Sequence, residues 1–320
     1  MRMPIMSVLL SFPGNPCPEP FRQGRSRTGD GFALRYCVFR TAVTPCQGAV
    51  VLLHGRNECI EKYAETCADL LARGFDVCTF DWRGQGGSTR FFRDARRGYV
   101  DDFAQYEADL DHMLGEVFLA EARPPFFIVA HSMGALVALL AAPQLTNRIN
   151  RMVLSAPFLG LSPESPPPSV LGPVTGLMRH VGMGRAYMGA GPRGITAVDF
   201  AVNKLTHDRR RFARNQAILD PARGLGLGGP TAGWLRASIS AMDRVADPAH
   251  MAAIRVPAVI VAAGADRVVS NAVTEAFGRR MRIGSMIMVP GARHELMQEA
   301  DGYRDQFWAA FEAFVPGRAG

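Results

Sequence analysis

The pentapeptide Ala130-His131-Ser132-Met133-Gly134 sets a serine among small residues, directly after an apolar run over 126–130 and directly before a helix-compatible stretch over 135–142. A small-x-Ser-x-Gly pattern arises readily by chance; its place between a strand and a helix gives it meaning. A serine on such a turn stands at the C-terminal edge of a sheet. The helix N-terminus behind it offers backbone donors and a field that favours negative charge. Ala130 occupies the position where glycine is more usual, at little steric cost. The chemistry would be acyl transfer to an activated hydroxyl.

Serine is a weak nucleophile unless a base takes its proton, and the base needs an acid that holds its tautomer and stabilises the imidazolium. On a strand–turn–helix elbow of this kind the partners follow in the order nucleophile, acid, histidine. The histidines after Ser132 are His180, His207, His250 and His294, and only His294 falls in a turn-rich loop just after a late strand, Pro290-Gly291-Ala292-Arg293-His294-Glu295. The acid should leave the end of the preceding strand, which places Asp266 of Gly264-Ala265-Asp266 ahead of Asp243 and Asp247. The oxyanion of the intermediate needs backbone donors, each contributing roughly 3 to 4 kcal/mol. Met133, next to the nucleophile, supplies one N–H. Arg56 of His54-Gly55-Arg56-Asn57-Glu58 supplies the other, and its side chain is not required as that donor.

Elements that could hold these residues follow from periodicity. Apolar runs over 49–54, 76–81, 126–131, 149–155, 258–263 and 285–289 read as buried strands; amphipathic stretches over 63–73, 101–118, 271–282 and 303–315 read as helices. Strands alternating with helices imply a parallel sheet covered on both faces. Between 156 and 246 the strand period disappears and prolines and glycines crowd in, so this segment reads as an insertion. Asp81-Trp82-Arg83-Gly84-Gln85-Gly86-Gly87-Ser88 forms a rim loop with a structural role, in which Arg83 is free to pair with Glu58.

Composition narrows the class. In 320 residues, 48% are hydrophobic and 20% charged, and no run approaches the roughly 18 apolar residues of a membrane-spanning helix. A soluble protein is expected. The net charge of +7, from 36 basic and 29 acidic residues, comes from arginine, since Lys62 and Lys204 are the only lysines. The arginines near 90–97 and 209–214 suit a solvated face or an anionic lipid surface better than nucleic acid, for no nucleic-acid module surrounds them. All six cysteines lie between Cys17 and Cys78 without metal-ligand spacing, which favours small buried apolar roles in a reduced compartment. The first 12 residues lack a small-x-small cleavage pattern and read as a poorly ordered lead-in.

The loop segments named above, taken in order, resemble the lysophospholipase and monoacylglycerol lipase branch of the α/β-hydrolases. The inserted segment shares in this: Asn203-Lys204-Leu205-Thr206 and Leu227-Gly228-Gly229-Pro230-Thr231 with Trp234 look like the cap of lysophospholipase L2-like proteins. The resemblance implies an α/β-hydrolase fold, a mostly parallel central sheet flanked by helices, with a helical cap inserted after the sixth strand. Residues 1–28 would be a lead-in, 29–155 and 247–320 the hydrolase core, and 156–246 the cap. Ser132, Asp266 and His294 match the family triad one by one. Hydrolysis of carboxylic esters of single-chain acyl lipids is implied, with no metal or organic cofactor. The partners expected are the lipid substrate and a transient membrane-surface contact, with no nucleic acid, in a protein that is cytoplasmic and peripheral at the inner membrane face. Glu58 is a candidate for head-group binding, and Leu177, Met178, Met183, Tyr187 and Met188 for an acyl channel. The competing readings are another carboxylesterase, an aminopeptidase-like hydrolase that would need acidic groups to hold a substrate amine, and a silent ligand-binding relative. Epoxide and haloalkane hydrolases of this fold use a carboxylate at the elbow, which Ser132 is not.

Overall fold

A computed structural model describes residues 9–189, 191 and 198–315. The first eight residues of the expected lead-in lie outside that range. The strands are Arg22–Arg27 (β1), Ala33–Phe39 (β2), Gly48–Leu53 (β3), Phe75–Phe80 (β4), Phe126–His131 (β5), Arg151–Ser155 (β6), Ala258–Ala263 (β7) and Gly284–Val289 (β8). They form one sheet in the order β1-β2-β4-β3-β5-β6-β7-β8. β3 to β8 run parallel; β2 is antiparallel to both β1 and β4. Strands β3, β4, β5 and β7 are buried at every position, as expected where helices cover both faces and the sequence is apolar without alternation.

The lead-in reading fails at β1. Residues 22–27 pair in register with β2, Arg22 opposite Val38 through Arg27 opposite Ala33, and close one edge of the sheet. A polar edge strand, half in water, carries no apolar signature.

Helices Ala64–Ala72 (α1), Ala104–Met113 (α2), the short Leu119–Glu121 (α3) and Met133–Ala141 (α4) belong to the first half of the core. α4 is buried throughout, packed against the sheet behind the elbow. After β6 the chain leaves the sheet for a helical cap: Pro168–His180 (α5), Arg209–Ile218 (α6) and Ala232–Ala246 (α7). It returns through Pro248–Ala253 (α8) and β7, then adds Asn271–Arg280 (α9), β8 and Asp301–Phe314 (α10). Thr231 and Asp247 accept backbone N–H groups at the N-termini of α7 and α8, which accounts for where those helices start. Two large apolar clusters cover the faces of the sheet, Trp82, Phe103, Tyr106 and the α4 leucines on one and Phe75, Phe127, Phe307 and Trp308 on the other, and a third, smaller one joins Phe12 and Cys59 to Ile218, Leu219 and Leu225.

Candidate active site

Ser132 follows β5 and caps α4 with φ 51° and ψ −114°, a strained backbone that lifts its side chain out of the turn. The elbow is held by Ser132 N–H donating to Ser155 O at 3.0 Å and by Phe158 N–H donating to Ser132 O at 3.1 Å. Gly134 must be glycine here. A Cβ at that position would lie 2.6 Å from Leu53 O and 2.7 Å from His54 O, because α4 begins hard against the end of β3.

His294 leaves the loop after β8 and Asp266 the end of β7, so neighbouring parallel strands deliver both to the edge where Ser132 stands. His294 Nε2 is 3.1 Å from Ser132 Oγ, and His294 Nδ1 is 2.7 Å from Asp266 Oδ2. The other Asp266 oxygen accepts the Val268 and Val269 N–H groups at 2.7 and 3.0 Å, which fixes the carboxylate plane. Burial acts to raise the Asp266 pKa, but the facing imidazole and these hydrogen bonds hold it below the usual carboxylate value. Burial acts to lower the His294 pKa; the carboxylates of Asp266, Glu295 and Glu58 outweigh it and hold the imidazole above its ordinary value. His131 lies beside it, ring centroids 4.8 Å apart, and burial pushes its pKa down to about 3, so it stays neutral.

The rival residues lie elsewhere. His207 bonds Glu299 at 2.7 Å, His250 lies 3.1 Å from Leu139 O, His180 ends α5, Asp247 caps α8 and Asp243 lies within α7.

Ser132 and His294 open on a cavity of about 190 Å³, more than ten times the roughly 15 Å³ that one water requires. Arg56 and Met133 line it, and neither backbone N–H has an acceptor among the described residues. For Met133 the reason is general, since the first turn of a helix has no intrahelical acceptor. Phe158, Leu205, Leu219, Trp234 and Val268 make the apolar wall. Glu58, Lys62 and Glu295 make the polar one.

Lys62 and Glu295 were not anticipated. Lys62 Nζ lies 2.5 Å from Glu58 and 2.6 Å from Glu295, and Tyr63 donates to Glu58 at 2.8 Å. Burial works against both charges, yet Lys62 keeps Glu58 ionised well below the carboxylate range, and Glu295 together with Glu58 keeps Lys62 charged well above the amine range. A signal was present: one of only two lysines stands four residues after Glu58, the spacing at which charges meet on a helical turn.

Two expectations need correction. Arg83 pairs with Asp109 and Asp30, each at 2.6 Å, and not with Glu58. Met178 and Tyr187 are not among the cavity's lining residues: Tyr187 bonds Asp94 at 2.8 Å, while α5 turns Leu177 outward, with Leu177 64% and the following Met183 52% exposed. In the basic stretch 209–219 the charge is neutralised only in part, since Arg209 and Arg210 are exposed. Arg211 is buried with Glu65, Asp208 and Asp301, and Arg214 also pairs with Glu65.

A family model described as serine aminopeptidase, S33 matches residues 44–301, most of the chain. The chain belongs to this hydrolase family. Among S33 relatives, lysophospholipase L2 of Escherichia coli strain K12 is 32% identical over 266 residues, covering 80% of this chain and 76% of that protein. The probable lysophospholipase L2 of Haemophilus influenzae is 29% identical over 255 residues, covering 80% and 79%. The crystal structure of a soluble variant of monoglyceride lipase from Saccharomyces cerevisiae superposes with a TM-score of 0.72 at 19% identity, over 92% of this chain and 95% of that one. At that identity the likeness is one of fold: this S33 member is an α/β-hydrolase, and a serine hydrolase of carboxylic esters.

Proposed function

We propose that the chain cleaves the carboxylic ester of a single-chain acyl lipid, a lysophospholipid or monoacylglycerol, through an acyl-enzyme on Ser132, with residues 156–246 acting as the cap. Ser132 Oγ attacks the carbonyl carbon while His294 Nε2 takes its proton and Asp266 steadies the imidazolium. The backbone N–H groups of Met133 and Arg56 receive the oxyanion. Collapse breaks the C–O bond, and His294 returns the proton to the departing alcohol. A water, deprotonated by His294, then attacks the acyl carbon; the bond to Ser132 Oγ breaks, His294 returns the proton to that oxygen, and the fatty acid leaves.

The observation that carries this reading is a single cavity that joins the Ser132–His294 pair, an apolar wall for a chain and a charged wall for a polar head. The relatives' names, lysophospholipase L2 and monoglyceride lipase, agree with it. An aminopeptidase would need a free carboxylate for its substrate's ammonium. Here Glu58 and Glu295 already share Lys62, and the cap's lining residues Leu205, Gln216, Leu219, Pro230 and Trp234 include no acid. Fatty-acid release from lysophosphatidylcholine, lysophosphatidylethanolamine, monoacylglycerol and aminoacyl amides tests this. Turnover of the lipid esters is expected; turnover of the amides alone would refute the lipid reading while leaving the triad in place.

We also infer a cytoplasmic protein that touches the inner membrane face through α5. Val170, Val174, Leu177 and Val181 recur at helical spacing on an exposed stripe, with Arg179 beside them. Among the described residues no helix is long and apolar enough to cross a membrane. Leu177→Glu is expected to weaken binding to phosphatidylglycerol-containing vesicles, read by co-sedimentation, by about 30-fold, the loss of one buried leucine contributing about 2 kcal/mol, while hydrolysis of a soluble short-chain ester is unchanged. Unaltered co-sedimentation would remove α5 from the membrane contact.

A further inference from the structure

The loop that carries the Arg56 N–H is fastened to the cap by its own side chains. Arg56 Nη2 donates to Gly228 O and Gly229 O, both at 2.9 Å, and the guanidinium lies 5.0 Å from the centre of the Trp234 ring. Asn57 Oδ1 accepts the Leu227 N–H. Both contacts fall on the segment 227–231, which the proposed chemistry does not otherwise use. On the core side, the same loop is held by Gly55 N–H donating to Glu58 and by Asn57 N–H donating to Gln85 Oε1 at 2.9 Å.

Arg56 forms no ion pair among the described residues, and its buried Nε has no hydrogen-bond partner. Burial pushes its guanidinium down to about 10. A desolvated arginine without a carboxylate is a costly way to fill space, whereas its planar fork can bridge two adjacent carbonyls with little freedom left over. Asn57 adopts φ 61°, the left-handed region that asparagine tolerates better than most residues, and this turns its side chain to the cap.

We propose that Arg56 and Asn57 are positioning residues whose side chains, by grasping the cap segment Leu227–Gly229, set the oxyanion donor, so that the oxyanion hole is complete only while that segment is seated. The proposal rests on the serine-hydrolase reading, in which the Arg56 N–H faces the oxyanion. The cap then closes over the lipid chain and also prepares the chemistry beneath it. A displacement of the donor by an ångström is enough to cost about 10²-fold in rate.

The test uses the full chain, p-nitrophenyl butyrate, and a trifluoromethyl ketone whose hemiketal oxygen occupies the oxyanion hole. Arg56→Met should lower kcat by about 10²-fold and weaken the ketone in the same proportion, with KM and the acid limb of the pH profile unmoved. Arg56→Gln and Arg56→Lys both keep donors for the two carbonyls and should recover most of the loss. Asn57→Gly, which keeps the backbone conformation but not the acceptor, should show a smaller loss of the same kind and serves if Arg56→Met does not fold. Wild-type kcat in Arg56→Met and Asn57→Gly, or a fall in melting temperature without weakening of the ketone, would overturn the proposal. Recovery by lysine but not glutamine would overturn it too, by assigning the effect to charge. Full turnover in Ser132→Ala would instead remove the reading on which it rests.

Discussion

Ser132→Ala is expected to lower kcat for ester hydrolysis by roughly 10⁶-fold and to abolish labelling by a fluorophosphonate, because no other nucleophile can form the acyl-enzyme. Among the described residues the Ser132 hydroxyl bonds only His294, so the variant should keep its fold by circular dichroism. Asp266→Asn leaves the nucleophile and should lose about 10⁴-fold, since the amide favours the wrong imidazole tautomer. The pH profiles separate the two effects. His294 must be neutral to accept the serine proton, and its pKa is held above the ordinary value chiefly by Asp266 against the opposing effect of burial. Wild-type kcat/KM should therefore fall on the acid side at a pH above that of an ordinary histidine. Removing the Asp266 charge should shift this limb to lower pH. An unmoved limb in Asp266→Asn, or labelling of Ser132→Ala, would contradict the assignment.

The second large effect concerns stability. Arg35 is fully buried, with Nε 2.6 Å from Asp81 and Nη1 and Nη2 each 2.7 Å from Glu61. The desolvation that opposes its charge is outweighed by the two carboxylates. Arg35→Met matches the volume but strands both acids in the core, at an expected cost of 3 to 5 kcal/mol or more, roughly 10 °C in melting temperature. The triple change Arg35→Met, Glu61→Gln, Asp81→Asn removes the stranded charges and should recover much of the loss. Thermal denaturation decides it, and a single variant as stable as wild type would refute this account. Asp81 also accepts the Ile60 and Gly87 N–H groups, so the rim loop and the loop around Glu58 depend on the same carboxylate.

Much of this architecture was legible because parallel strands buried on both faces leave continuous apolar runs, and β3 through β8 fall within a few residues of those runs. β1 left no such mark, its residues being polar and at an edge. Ser132, Asp266 and His294 could be nominated because each lies within about five residues of a strand end, and strand ends determine position. Lys62 with Glu295 could not be paired from sequence: 233 residues separate them, and only the fold brings their loops together. The cap misled for a different reason. α5 leaves Val170, Val174 and Leu177 exposed, so its apolar composition does not tell which side faces the substrate, and Leu219 and Trp234 from later in the insertion line the cavity where Met178 was expected. In Arg209–Ile218, the partners of Arg211 and Arg214 come from distant helices and leave no local mark, whereas Arg209 and Arg210 stay exposed.

The cavity's charged wall comes from the core, and its apolar wall, apart from Val268, from the inserted segment. Glu58, Lys62 and Glu295 belong to loops of the sheet, whereas Leu205, Leu219 and Trp234 belong to the inserted segment. Selection acting on one wall need not disturb the other. On the proposed reading, substitution in the insertion is expected to change the accepted acyl length and to leave head-group recognition in place, so long as the contacts at Leu227–Gly229 are kept.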